Sequence, residues 1–254
     1  MTGAIDWSAT PAAIWRSASQ KLRPVRTIDP VRLDDLLGIE HQKAALVRNT
    51  ERFLSGQPAN NALLWGARGT GKSSLIKALL NDYFRLGLRV IQVDKDDLLF
   101  LPEIVDTIRD DVHRFIIYCD ELSFDAGEKT YKGLKSVLEG SIESPPENVL
   151  VYATSNRRHL LPEYMSENRE ARMVEGELHP GEAIEEKISL SDRFGLWLSF
   201  YPFTQDEYLA IIDHYFRDWQ GDREALHKAA LRFALERGVR SGRTAWQFYR
   251  TFEA

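Results

Sequence analysis

The stretch NALLWGARGTGKSSLIKALL, residues 61–80, constrains this chain more than any other. A short apolar run at 61–65 reads as a strand, and residues 72–87 read as an amphipathic helix stopped by Gly87. Between them, Gly66 to Ser73 fits the pattern G-x-x-x-x-G-K-[ST]. Glycine lets a backbone curl tightly. Successive N–H groups then point inward at the start of a helix whose dipole favours negative charge. The expected anion is a nucleotide phosphate chain, held by Gly66, Ala67, Arg68, Gly69, Thr70, Gly71, Lys72, Ser73 and Ser74. In this pattern Lys72 reaches the β- and γ-phosphates of ATP, and the Ser73 hydroxyl sits on Mg²⁺.

Such a loop needs a partner, an apolar strand ending in acid. RFIIYCDE supplies it, with Asp120 placed 48 residues after Lys72. Asp120 is expected to hold the Mg²⁺ shell through water, and Glu121 to orient and polarise the attacking water. The plainer alternative is two acids capping a strand. Cys119, the only cysteine, reads as a small buried strand residue.

The surrounding chain supports a sheet. LRVIQVD (88–94), NVLVYATSN (148–156) and GLWLSFYPF (195–203) are further strand candidates. LPEIVDTIRD (101–110) and TYKGLKSVLEGS (130–141) are helix candidates, and a helical period runs through Leu46, Thr50, Phe53 and Leu54 to a stop at Gly56. Apolar strands spaced by helices indicate a parallel sheet covered on both faces, hence an α/β class. From Thr204 onward only helices are expected, at 204–218, 222–237 and about 242–252, with Thr204 and Glu207 forming a capping-box signature.

The expected organisation is an N-terminal arm at 1–30, a nucleotide-binding core at 31–203 and a helical lid at 204–254. The arm carries Trp7, Trp15, three prolines and scattered basic residues, a composition suited to lying on a surface. Residues 162–187 hold eight glutamates and read as a solvated helix or mobile loop inserted between the last two strands.

Net charge is −5, which gives no global footprint for nucleic acid. One cysteine permits no intrachain disulfide and fits a reducing compartment. The N-terminal residues lack a secretory leader, and no apolar run reaches membrane-spanning length, so a cytoplasmic protein without membrane association is expected. The six histidines show no metal-ligand spacing on a helix, so no zinc site is expected. Arg157 and Arg158 follow VYATSN and have three readings: phosphate or nucleic-acid contact, a neighbouring subunit, or a solvated loop.

Taken in order, LDDLLGIEHQKAAL, GARGTGKS, YCDE, VYATSN, SDRFG and SGRTAWQF resemble an AAA+ ATPase over about residues 31–250. The strings VDKDDLLFLPEIVD, CDELSF, YKGLKSVLEGSIE and YATSNRRHLLPE are similar to a bacterial family of such ATPases called domain of unknown function 815. The resemblance implies a P-loop NTPase core sandwiched by helices, a small helical lid, and ATP hydrolysis. It places Ile39 on the adenine, where a plain core isoleucine is the alternative. It places Asn156 as a polar sensor for the lytic water or γ-phosphate, against a turn-forming asparagine. Arg243 falls where a lid helix touches the γ-phosphate, with Arg240 a competitor and a solvated arginine the alternative. Arg193 falls where an arginine finger serves the neighbouring subunit's ATP, against a structural salt bridge with Asp192 or the Glu-rich insertion.

The resemblance thus implies a homo-oligomer with nucleotide at subunit junctions, driving the remodelling of a protein or nucleic-acid client. A slow nucleotide-gated adaptor or a nucleic-acid loader is the alternative. Adjacent Asp120 and Glu121 favour hydrolysis over binding alone.

Overall fold

In the computed structural model the described residues are 5–124, 130–140, 144–158, 160 and 189–252, with the backbone alone at 172–174 and 177–179. The strands are β1 (Ala12–Arg16), β2 (Lys21–Pro24), β3 (Ala62–Gly66), β4 (Leu88–Gln92), β5 (Arg114–Cys119), β6 (Val149–Ser155), β7 (Arg172–Val174), β8 (Glu177–His179) and β9 (Leu196–Phe200). The helices are α1 (Glu40–Leu54), α2 (Lys72–Tyr83), α3 (Leu101–Asp106), α4 (Tyr131–Glu139), α5 (Gln205–Tyr215), α6 (Arg223–Glu236) and α7 (Gly242–Thr251).

Seven strands form one sheet in the order β2-β1-β4-β5-β6-β3-β9. Every pairing is parallel except β1 with β2. The strand interiors are continuous apolar runs because both faces are covered. Side chains alternate between two cores, as a period of two requires. Leu64, Ile116, Tyr118, Leu150 and Tyr152 face the core shared with α1, α2 and the C-terminal helices. Leu63, Phe115, Ile117, Val151 and Ala153 face the core beneath α3 and α4.

The buried Tyr152 shows how a polar group is accommodated there. Its hydroxyl lies 3.0 Å from both Asn49 Nδ2 and Thr50 Oγ1. Asn49 in turn binds the backbone of Asn60 through Nδ2 at 2.8 Å and Oδ1 at 3.0 Å, which anchors α1 to the entry of β3. Satisfied in this way, the hydroxyl avoids the cost of an orphaned buried group.

Two expectations change. The expected surface arm at 1–30 is instead, over its described residues 5–30, built into the fold. β1 pairs in parallel with β4, and Trp7, Ala13 and Trp15 are buried in the α3–α4 core. Arg89 Nε donates to Trp7 O at 2.5 Å and ties down the segment before β1. The run AAIWR is short and alanine-rich, and the prolines flank it instead of interrupting it, so its strand character is faint in sequence. The Glu-rich stretch contains a small antiparallel pair, β7 with β8, where helix or loop was expected. The rest of 162–187 lies outside the described residues.

The all-helical segment begins as expected. Thr204 N donates to Glu207 Oε2 at 2.7 Å and Glu207 N to Thr204 Oγ1 at 3.3 Å, closing the capping box at α5. Tyr208, Ile212 and Phe248 join the same apolar cluster as Leu46 and Leu75, so one core runs across residue 204. α3 stops at Asp106, short of the expected Asp110. Thr107 Oγ1 bonds Ile104 O at 2.7 Å, a local contact that competes with helix continuation.

Candidate nucleotide site

The site lies at the C-terminal ends of β3, β6 and β5, three adjacent strands. Ligands in open parallel sheets bind at this edge. β3 delivers the loop at Gly66, and α2 carries the chain away from Lys72. Gly66 has φ +131°, and a Cβ there would sit 2.0 Å from Phe200 O. Only glycine passes so close to β9, and Ala67 N–H then donates to that same carbonyl at 2.9 Å. Gly69, at φ +76°, packs against the start of α7. A Cβ on it would meet Ser241 Oγ at 2.9 Å and Arg243 Cβ at 3.2 Å. α2 opens on Gly71 with no side-chain cap, so its first N–H groups remain available to an anion.

Lys72 is buried, and its ammonium donates to Gly66 O at 2.8 Å and Ala67 O at 2.7 Å. Asn156 Oδ1 stands 3.4 Å away. Burial pulls the Lys72 pKa down to about 8, against the opposing pull of Asp120 and Glu121. Desolvation wins because the ammonium has left bulk water for carbonyl dipoles.

Opposite it, Asp120 Oδ1 accepts from Ser73 Oγ at 3.0 Å, Thr154 Oγ1 at 2.5 Å and Glu121 N at 3.2 Å. Glu121 follows in a left-handed conformation, φ +50°, unusual for a side chain of this size. Its carboxylate is exposed. Ser73 hydroxyl and Asp120 carboxylate are hard oxygen donors within hydrogen-bonding distance of each other. That donor pair suits Mg²⁺, which prefers a few protein oxygens completed by water and phosphate. Among the described residues no cluster of three or more His, Cys, Asp or Glu is arranged for a metal.

These groups share a cavity of about 770 Å³ with Ile39, Arg68 and Arg243. Ile39 lies beside the loop, its Cδ1 3.3 Å from where a Gly71 Cβ would be. Arg243 enters from α7, whose backbone reaches Gly69 O at 3.4 Å. Arg240 does not line the cavity. Its Nε is 3.3 Å from Phe203 O and holds the exit of β9.

Two sets of lining residues escaped the sequence reading. Tyr215, Trp246 and Tyr249 form an aromatic wall, with Tyr249 stacked on Tyr215 at 5.5 Å and on Trp246 at 5.6 Å. Trp246 and Tyr249 fall three and six residues after Arg243, a spacing that keeps them on one side of α7. Thr154 also lines the cavity. It stands near the end of β6, two positions before Asn156, the first residue past the strand.

Arg193 lines no part of this cavity. It pairs with Glu139 at the end of α4 and donates to Ser189, Oγ at 2.6 Å. Among the described residues its ion-pair partner is Glu139 and not Asp192, while the side chains of the Glu-rich stretch lie outside the described residues. Arg157 and Arg158 border a neighbouring hollow of about 520 Å³ with Trp65 and Tyr201, and the Arg158 guanidinium sits 5.6 Å over the Trp65 ring. Cys119 is fully buried, and burial raises its thiol to about 12.

The strand order, the glycine loop after β3, the acidic end of β5 and the helices after β9 give the chain a P-loop α/β fold of the AAA+ type. Among solved structures, the fold is similar to RuvB of Thermotoga maritima. One point mutant of that protein superposes with a TM-score of 0.56 at 19% identity, over 88% of this chain and 65% of that one. A second point mutant gives 0.52 at 15%, over 87% and 72%. The chain belongs to the family described as protein of unknown function (DUF815), whose profile matches residues 8–254. A segment of 70 residues is also 36% identical to the replication factor C large subunit of Ignicoccus hospitalis, covering 27% of this chain and 14% of that protein. The corresponding subunit of Staphylothermus marinus is 32% identical over 69 residues, 27% of this chain and 16% of that protein. Among the described residues no helix is long and apolar enough to cross a membrane.

Proposed function

We propose that this chain binds Mg²⁺-ATP in the large cavity and hydrolyses it. The observation that carries the reading is the convergence of Lys72, Ser73, Asp120, Glu121 and Asn156 from three adjacent strand ends onto one glycine loop. The free N–H groups of the loop and α2 receive the phosphate chain. Lys72 exchanges its contacts with Gly66 and Ala67 carbonyls for the β- and γ-phosphates. Ile39 and the Tyr215–Trp246–Tyr249 wall offer the apolar surface for the base.

Ser73 and Asp120 are the residues that would hold magnesium, which supplies positive charge to the phosphate oxygens when bound. Glu121 accepts a proton from the attacking water. The water oxygen bonds to the terminal phosphorus while the bridging P–O bond breaks, giving ADP and phosphate. Asn156 orients the water or the γ-phosphate, and Arg243 neutralises charge from the lid side.

Turnover coupled to the remodelling of a macromolecular client, in a homo-oligomer with shared sites, is the wider reading. It rests on the AAA+ fold and on the position of Arg193 in SDRFG. One observation favours a slower, nucleotide-gated adaptor: Arg193 is held within its own subunit by Glu139 and Ser189. A chain whose finger must first leave that pairing turns over slowly until a neighbour or client releases it.

The test is equilibrium binding of ATP to the purified protein and to Lys72→Ala. The wild type is expected to bind, and the variant to lose about 10–100-fold in affinity, the scale of charge-assisted bonds. Equal affinity for both would remove the nucleotide from this cavity.

A further inference from the structure

We infer that Thr154 is a positioning residue for hydrolysis, clamping the acidic pair so that the metal-side and water-side carboxylates face the phosphate chain together. The inference rests on the nucleotide-site reading above and adds a residue that the loop and acid motifs do not include.

Three contacts converge on this one position of β6. Its hydroxyl donates to Asp120 Oδ1 at 2.5 Å. The same oxygen accepts from Glu121 N at 3.0 Å. Its backbone carbonyl accepts from Leu122 N at 2.7 Å. One residue therefore grips three consecutive residues just past the end of β5, and it is only 1% exposed.

The geometry explains why a hydroxyl is used there. β5 and β6 are paired in parallel, with Cys119 opposite Ala153, so the next residue of β6 lies beside the turn that leaves β5. A hydroxyl both donates and accepts. Thr154 uses the first capacity to fix one Asp120 oxygen and the second to satisfy the Glu121 amide. Glu121 sits at φ +50°, a backbone state a glutamate leaves unless its surroundings hold it. With the Glu121 amide and the Leu122 amide both tied to Thr154, the left-handed turn is fixed, and the Glu121 side chain projects from a set place. Asp120 Oδ1 is held by the Ser73 and Thr154 hydroxyls together.

The role differs from simple core packing. Valine would fill the same volume and keep the backbone contact to Leu122, yet remove both hydroxyl bonds. Serine would keep all three contacts and lose only a methyl group. The pair of substitutions thus separates hydrogen bonding from shape.

The experiment measures four quantities for wild type, T154V and T154S: melting temperature, ATP affinity without divalent cation, the Mg²⁺ concentration that half-saturates tighter ATP binding, and steady-state phosphate release. For T154V the expectation is a melting temperature and Mg²⁺-free ATP affinity close to wild type. Its half-saturating Mg²⁺ concentration rises several-fold, and its phosphate release falls about tenfold or more, the scale of one lost bond to a charged group. T154S is expected to restore both of the affected quantities to near wild type. T154V with wild-type turnover and Mg²⁺ dependence would overturn the inference. So would T154S as defective as T154V, or a T154V that loses Mg²⁺-free binding together with its cooperative melt. A wild type that binds no ATP would instead remove the nucleotide-site reading itself, and this inference with it.

Discussion

On the proposed reading, Lys72 should give ATP binding a pH dependence whose size follows from the structure. Its ammonium is buried among the Gly66 and Ala67 carbonyls, and burial lowers its pKa to about 8. Asp120 and Glu121 pull the other way, while Arg243 and Arg68 add to the lowering. In the empty site the lysine therefore loses its proton as pH rises through about 8. Bound phosphates favour the charged form and raise the pKa again, so above that pH binding must take up a proton. Affinity should be nearly constant below about pH 7.5 and fall about tenfold per unit well above 8. Between about pH 7 and 9.5 the loss is about thirtyfold, or ~2 kcal/mol. The nucleotide's own terminal phosphate is already mostly ionised at the start of that window, and its further ionisation would strengthen binding as pH rises, opposite to the predicted loss. The assay is calorimetric titration in buffers of different ionisation enthalpy, which reads affinity and proton uptake together. Lys72→Arg is the control, because guanidinium does not titrate there. It should bind more weakly but with a flat profile. A flat wild-type profile across that window would refute the reasoning, and so would an equally steep profile for Lys72→Arg.

Other consequences are open to simpler tests. Gly66→Ala would place a Cβ 2.0 Å from Phe200 O, so a loss of about 3 kcal/mol or more in urea unfolding is expected; a stability within about 1 kcal/mol of wild type would contradict the loop geometry. The Cys119 thiol, fully buried and raised to about 12, should resist maleimide at about pH 7.5 until the protein is unfolded, and rapid native-state labelling would count against its placement. Arg193→Ala breaks a half-buried pair with Glu139 and should cost no more than about 1 kcal/mol in stability. Mixed with Glu121→Gln, it should nevertheless regain phosphate release beyond the sum of the two alone. Strict additivity would leave Arg193 a structural residue.

Much of this fold was legible because parallel strands buried on two faces write themselves as apolar runs. FIIYC and VLVYA read as strands without help from any partner. The loop was legible for a different reason: its backbone path excludes side chains at Gly66 and Gly69, and those positions cannot drift. The two strands at the β2 end of the sheet were not legible. AAIWR and KLRP are short, and their strand character comes from pairing to β4 and to each other. Sequence shows no such pairing.

The site divides in the same way. Lys72, Ser73 and Asp120 stand in spaced motifs, and the structure brings them together with Glu121 and Asn156. Thr154 carried a faint signal, a hydroxyl two residues before Asn156, and its importance appears only when β6 is laid against β5. The aromatic wall joins Tyr215 of α5 to Trp246 and Tyr249 of α7, a meeting that tertiary packing creates. SDRFG shows a different limit. The motif marked Arg193 for a neighbour, while Glu139, the residue that holds it, lies 54 positions away and carried no signal.

The central claim is that one cavity binds Mg²⁺-ATP and that Glu121 activates the water which hydrolyses it. The most direct measurement follows ATP binding and phosphate release side by side for wild type and Glu121→Gln, with Mg²⁺ present. The prediction is equal ATP affinity within a factor of about three, with phosphate release falling about 10²-fold or more in the variant, the usual contribution of a general base. Undiminished release from Glu121→Gln would contradict the account.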